Sequence, residues 1–294
     1  MMPGDRSIER KGDRGILLGD LAKKSPEKLQ EYLKKLHPSD LAEAFPALNL
    51  AQRVKILRSI EPEDAARVIF DLDREMVVPL LEGLGRQRTA KILEGMPGDD
   101  AADLLGELPR GEKEKLLGII AAAEAREIRM LLAYGTETAG GIMTTEYAAV
   151  QKDLTGRQAI QALRETAREA EIIYYVYVVN QNNQLIGVFS LRELIIADPE
   201  APVELIMHTG VISVNVRTDQ EEVARQVAKY DFLAIPVIND DHELLGIVTI
   251  DDILDVIEEE ATEDIMRLSG NIDLEGEEYE VRTWRRAAKR LPWL

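Results

Sequence analysis

From Ser25 to about Tyr134, apolar residues recur at helical spacing, and Pro or Gly interrupts the pattern every dozen or so residues. In "SPEKLQEYLKKL", Ser25 can cap a helix and Pro26 can occupy its first turn, so the region reads as all-helical. It also repeats. "KILRSIEPEDAARVIFDL" from Lys55 matches "KILEGMPGDDAADLLGEL" from Lys91, a spacing of 36 residues (91 minus 55). Such a period predicts stacked helix pairs in a superhelical array, each burying its apolar face only against its neighbours.

After Tyr134 the pattern changes to short β-rich runs. "IIYYVYVVN" and "LIGVFS", then "FLAIPVIND" and "LLGIVTI", form two pairs, each divided by a polar turn containing Asn or Asp. A second repeat runs through them, since "IMTTEYAAV" at Ile142 corresponds to "IMHTGVISV" at Ile206, and "QLIGVFSLREL" at Gln184 to "ELLGIVTIDDI" at Glu243. Each copy predicts strand, helix, hairpin and helix, and two such copies can pack their sheets into one domain. The expected class is therefore α+β and multi-domain. The boundaries are 1–24 for an N-terminal extension, 25–134 for the helical repeats, 135–200 and 201–258 for the two strand-bearing repeats, 251–268 for a closing acidic helix, and 269–294 for a linker and basic tail.

Composition narrows the chemistry. With no cysteine, the 294-residue chain has no disulfide, and its ordinary apolar content points to a soluble protein of intracellular type. The 54 acidic residues against 36 basic ones leave a formal charge of -18, which argues against nucleic acid and favours cations or basic partners. The apolar stretch near Ile119–Ala123 is short, and no run reaches the roughly 20 residues of a membrane span. The N-terminus shows no signal-peptide pattern. At the other end, "VRTWRRAAKRLPWL" sets Arg282, Arg285, Arg286, Lys289 and Arg290 before an apolar edge. That is the character of a cytoplasmic membrane flank, or of a basic helix that packs on the protein's own acidic surface.

The acidic helix "TIDDILDVIEEEATEDIMRL" (249–268) holds eight carboxylates from Asp251 to Asp264 and no basic residue between them. At 100° per residue Asp252, Asp255, Glu259 and Glu263 share a stripe roughly 80° wide, with Glu260 and Asp264 at its flanks. Each like-charge pair four residues apart costs roughly 0.2–0.5 kcal/mol, which a solvated face tolerates and a hard divalent cation relieves. In the helical region "PGDDAADLL" sets Asp99 and Asp103 four apart, with Asp99 or Asp100 open to a helix-cap role. His37, His208 and His242 are scattered, so a zinc site has no footing. No nucleophile motif, phosphate-binding glycine loop or paired catalytic His and acid is present, so an enzyme is not expected.

The doubled strand unit resembles a CBS pair, or Bateman module. "ETAGGIMTTEYAAV" from Glu137 resembles the junction of the MgtE family, and the acidic helix "DDILDVIEEEATED" matches as well. The resemblance runs from about Leu29 to the C-terminus, with departures at Thr145, where the family usually has proline, and at Glu193, a place often held by aspartate. It implies the cytoplasmic region of a magnesium channel or transporter: a helical N domain, a CBS pair forming a homodimer, and a connecting helix leading to a pore beyond residue 294. It also implies that the full protein is integral to the membrane with this region on its cytoplasmic face. Mg²⁺ ligands are implied at Asp252, Asp255, Glu260, Glu263 and Asp264. Further implied ligands are Asp99, Asp103, a carbonyl near Gly141, and Asp231 with the Ala228 carbonyl, although Gly141 and Asp231 equally suit ordinary turns.

CBS pairs often hold ATP or another adenine nucleotide. The ribose signal would be Ser190 with Glu193, or Thr249 with Asp252. Arg192 could meet phosphate, and Phe232 or Tyr175 could stack on the base. The same Ser–acid spacing is also a capping box that needs no ligand. A nucleotide-sensing regulatory module is thus the rival reading, and a helical scaffold for a basic protein the third.

Overall fold

The computed structural model describes residues 17–20, 26–72, 74–106, 108–166, 170 and 172–268. Residues 1–16 of the expected extension, the Ser25 cap and the whole 269–294 tail lie outside these. Residues 17–20 form a helical turn. Leu18 is fully buried there and the Gly19 carbonyl accepts from Gln52 Nε2 at 3.0 Å, so this part of the expected extension is packed.

Up to residue 134 the described residues form helices joined by short turns, with no strand among them. The helices are α1 (Pro26–Leu33), α2 (Pro38–Ala44), a 3₁₀ turn (Phe45–Ala47), α3 (Leu50–Ser59), α4 (Pro62–Phe70), α5 (Arg74–Leu84), α6 (Arg86–Glu94), α7 (Gly98–Gly106), α8 (Arg110–Leu117) and α9 (Ala122–Leu131). Their starts follow local chemistry. Proline stands in the first turn of α2 and α4, and α3 carries a full capping box between Asn49 and Gln52, with both bonds at 3.0 Å. His37 is a helix cap whose Nδ1 accepts the Ser39 N–H. The 36-residue repeat maps onto α3–α4 and α6–α7. Ile56 and Leu57 match Ile92 and Leu93, Ala65 and Ala66 match Ala101 and Ala102, and all eight are buried. Arginines close helix ends: Arg58 donates to the Gly83 and Leu84 carbonyls, and Arg88 to those of Leu57 and Ile60, which satisfies C-terminal carbonyls that a helix leaves open.

The described residues divide into two compact units, those up to Met96 together with Asp103–Arg126, and Pro97–Ala102 together with those from Glu127 on. In the second unit, two three-stranded sheets repeat one plan. β1 (Tyr147–Gln151), α10 (Gly156–Thr166), β2 (Ile172–Val179), β3 (Leu185–Ser190) and α11 (Leu191–Ile196) form the first copy. After α12 (Val203–Ile206), β4 (Val214–Asn215), α13 (Gln220–Tyr230), β5 (Ala234–Ile238), β6 (Leu244–Thr249) and α14 (Ile250–Leu268) form the second. In each sheet the first pair is parallel and the second antiparallel, in order β1-β2-β3 and β4-β5-β6.

The two copies are interleaved. Thr144, leading into the first copy, exchanges backbone bonds with Ile247 of β6 (2.9 and 3.0 Å), while His208, leading into the second, does so with Val188 of β3 (3.0 and 2.8 Å). Glycine permits both crossings. A Cβ on Gly246 would lie 2.5 Å from the Thr144 carbonyl oxygen, and one on Gly187 would lie 2.6 Å from Met207 Sδ. The hairpin tips join as well, through Leu185 N–H to His242 O and Leu244 N–H to Asn183 O, both 2.9 Å. Tyr177 and Val179 from one sheet and Ala234, Leu244 and Ile247 from the other form a shared apolar core.

Candidate functional site

Asp99 occupies the second position of α7, not its N-cap, and belongs to the strand-bearing unit together with Glu127, Thr144 and Thr145. Its carboxyl is pushed up to about 6, first by burial and further by the Glu127 charge; its own N–H, that of Asp100 and the Thr144 hydroxyl pull the other way. Asp99 Oδ1 is out of solvent and has no hydrogen-bond partner. The Thr145 hydroxyl contacts Glu127 Oε1, and a Cβ on Gly98 would lie 3.1 Å from that oxygen, so little room separates these groups. Neither Glu127 nor Thr144 stood out in the sequence. Thr144 could have been flagged by its repeat equivalence to His208, whereas nothing near Glu127 signals its role. Asp103, also on α7, falls in the other unit.

Gly141 lies in the turn that follows α9. Its N–H bonds the Thr138 carbonyl at 2.8 Å, and a Cβ would lie only 2.1 Å from the Gly135 oxygen. The close approach that requires glycine here is therefore made by the chain itself. Asp231 ends α13 in the left-handed region at φ 54°, a conformation Asp tolerates, and its N–H bonds the Val227 carbonyl. Ala228 lies in the last turn of α13.

On α14, which packs against α13, Ile253 and Val256 are buried, while Asp255 and Glu258 face outward. Asp252 Oδ2 accepts the Thr249 hydroxyl at 2.6 Å. Glu260 Oε1 accepts Gln220 Nε2 at 2.7 Å, and its carboxylate raises the pKa of Glu221 across the α13–α14 contact. The helix continues through Glu263 and Asp264. Among the described residues, no group of three or more His, Cys, Asp or Glu side chains is arranged to hold a metal ion. The ligands suggested by resemblance are thus distributed over α7, the Gly141 turn, α13 with its Asp231 cap, and α14, with no preformed cage among the described residues.

At the predicted ribose signal the capping box is realised. Glu193 Oε2 accepts the Ser190 N–H at 2.7 Å and its hydroxyl at 2.8 Å, while the Glu193 N–H donates to Ser190 Oγ at 3.2 Å. His208 Nε2 sits 2.7 Å from Glu193 Oε1, a partner that sequence reading missed. His208 and then the Ser190 N–H hold the Glu193 carboxyl down to about 2. Tyr175 is half-buried at the edge of the inter-sheet core, and Arg192 is exposed at the start of α11. Phe232 stacks on Tyr230 with ring centroids 5.4 Å apart.

Comparison with known proteins follows this division. Residues 36–137 match the MgtE intracellular N domain, and residues 139–200 and 203–259 each match the CBS domain. The chain is similar to the magnesium transporter MgtE of Enterococcus faecalis (51% identity over 171 residues, 58% of this chain and 37% of that one). It is similar to that of Thermus thermophilus too (50% over 148 residues, 50% and 33%). The matched segment thus spans about a third of each relative's length. Among solved structures, it is similar to the cytosolic domain of the Mg²⁺ channel MgtE in complex with ATP, at 38% identity and TM-score 0.79, covering 82% of this chain and 99% of that one. The soluble part of a magnesium transporter gives 38% identity and TM-score 0.78, covering 86% and 100%. A likeness that runs through the helical and strand-bearing parts in the same order, over nearly the whole of two such structures, shows that the chain belongs to the MgtE family.

Proposed function

We propose that the chain is the Mg²⁺-sensing intracellular region of a magnesium channel or transporter, not an enzyme, and that Mg²⁺ favours its closed state by linking carboxylates. The observation that carries this reading is Asp99, a buried carboxyl with an oxygen lacking a hydrogen-bond partner and a second carboxylate beside it. Mg²⁺ suits such a place because it is a hard ion that takes carboxylate and carbonyl oxygens and keeps several waters, so it needs no complete protein cage.

The proposed ligands are Asp99, Asp103, the Gly141 and Ala228 carbonyls, Asp231, Asp252, Asp255, Glu260, Glu263 and Asp264. With Mg²⁺ abundant, the helical domain, CBS pair and acidic helix draw together and lock the pore; when it is scarce, mutual repulsion releases them. The switch operates only if Mg²⁺ binds the closed state better than the open one. The proposal takes 25–134, 135–200, 201–258 and 251–268 as its domain limits, although residues 97–102 and 127–134 group with the strand-bearing unit. A homodimer is part of the proposal, supported by the outward-facing apolar Ile195, Ile196 and Leu205 on α11 and α12. So is placement at the cytoplasmic face of the membrane, joined to the chain's own pore.

Adenine nucleotide is a second proposed ligand, at Tyr175, Ser190, Arg192, Glu193 and Phe232, favoured by the ATP complex of the similar cytosolic domain. Calorimetric titration with Mg²⁺ alone tests the first reading. Heat of binding that is weakened in Asp99→Asn supports it, and no binding by the wild type refutes it.

A further inference from the structure

The Val188–His208 bridge fixes the His208 backbone alongside β3, and its imidazole reaches the first turn of α11, where Nε2 meets Glu193 Oε1 at 2.7 Å. The other oxygen, Oε2, already takes the Ser190 N–H and hydroxyl. A carboxylate offers about four lone-pair sites, and these donors fill three of them. The cis-diol of a ribose brings two hydroxyl donors, one more than the carboxylate can accept while all three remain. Ser190 cannot yield readily, because its bonds are the cap of α11. His208 can, since its side chain is 67% exposed and its backbone is anchored independently of the imidazole. The equivalent residue of the other repeat is Thr144, whose hydroxyl is directed to Asp99 and the Glu146 N–H, so the arrangement belongs to this repeat alone.

We propose that His208 is an internal competitor at Ser190–Glu193, holding the carboxylate until a nucleotide's ribose diol displaces the imidazole. The proposal rests on the nucleotide reading above. It makes His208 a positioning residue that sets how much nucleotide is needed to fill the first repeat, without touching base or phosphate.

The test is calorimetry of ATP and of 2′,3′-dideoxy-ATP, which lacks the diol, on the wild type and His208→Ala. Loss of an exposed hydrogen bond to the carboxylate predicts that His208→Ala binds ATP about two- to fivefold more tightly, with dideoxy-ATP affinity unchanged by the substitution. Equal ATP affinities would leave the nucleotide site standing and overturn the competitor role. Weaker ATP binding would make His208 a direct contact, and an equal gain for dideoxy-ATP would show that the competition is not for the diol; either overturns the proposal. If neither protein binds ATP, the nucleotide reading falls and the proposal with it.

Discussion

Asp99 and Glu127, 28 positions apart in sequence (127 minus 99), lie close enough that the Glu127 charge raises the Asp99 pKa, and Asp99 Oδ1 is buried without a hydrogen-bond donor from the protein. The folded carboxyl titrates near 6 against an ordinary 3.8. A raised carboxyl pKa favours folding while the group is protonated, so its contribution is complete below 3.8 and is lost as pH rises through about 6. In metal-free solution the wild type should therefore lose stability relative to Asp99→Asn between pH 4 and 7.5, by up to about 3 kcal/mol. Urea denaturation at several pH values measures this, and parallel stability curves would contradict it.

The glycines at the crossings of the two repeats give a purely structural prediction. Gly246→Ala drives a methyl group against the Thr144 carbonyl and Met143, and should cost about 1–3 kcal/mol through overpacking. A fall in melting temperature is expected. Gly210→Ala, where nothing lies within 4 Å but φ is +74°, should cost less, through backbone strain alone. The reverse ranking would mean that the crossing is looser than described.

Glu193 should impart an acid-sensitive stability of the opposite sign to that of Asp99. Its pKa is depressed from 4.5 to about 2, so its contribution is present above 4.5 and is lost as pH falls toward 2. Because the side chain is 40% exposed, the effect should be a few tenths of a kcal/mol. Glu193→Gln should flatten that part of the stability profile, and an unchanged profile would remove the charge from the cap.

On the acidic helix, Asp252→Asn and Glu258→Gln each remove one charge. Glu258 is exposed and lies off the stripe, so its loss should only relieve repulsion, whereas loss of Asp252 should weaken the Mg²⁺ response. Solution scattering over a Mg²⁺ series measures the two midpoints. Equal midpoints would remove Asp252 from the ligand set.

Much of the architecture was written in local pattern. The Lys55 and Lys91 repeats became helix pairs because their buried Ile-Leu and Ala-Ala positions follow the helical period. The hairpins declared themselves through paired β-rich runs around Asn and Asp turns. The capping box at Ser190 and Glu193 needed only spacing. What stayed hidden depends on how distant segments thread past one another. Glu127 reaches Asp99 because α9 passes the start of α7 at Gly98, the turn at Gly135–Gly141 brings Thr144 and Thr145 back to the same two carboxyls, and His208 reaches Glu193 because the second copy's leading segment pairs with β3 of the first. No periodicity reports such crossings, and the proposed ligands spread over α7, the Gly141 turn, α13 and α14 have no common local signature.

Whether Mg²⁺ itself closes this region is decided by solution scattering of the chain with and without millimolar Mg²⁺ at fixed ionic strength. Bridging by Mg²⁺ should give a smaller radius of gyration, an effect that monovalent salt reproduces only weakly because screening reduces repulsion but cannot bridge carboxylates. Identical scattering curves in the two conditions would contradict it.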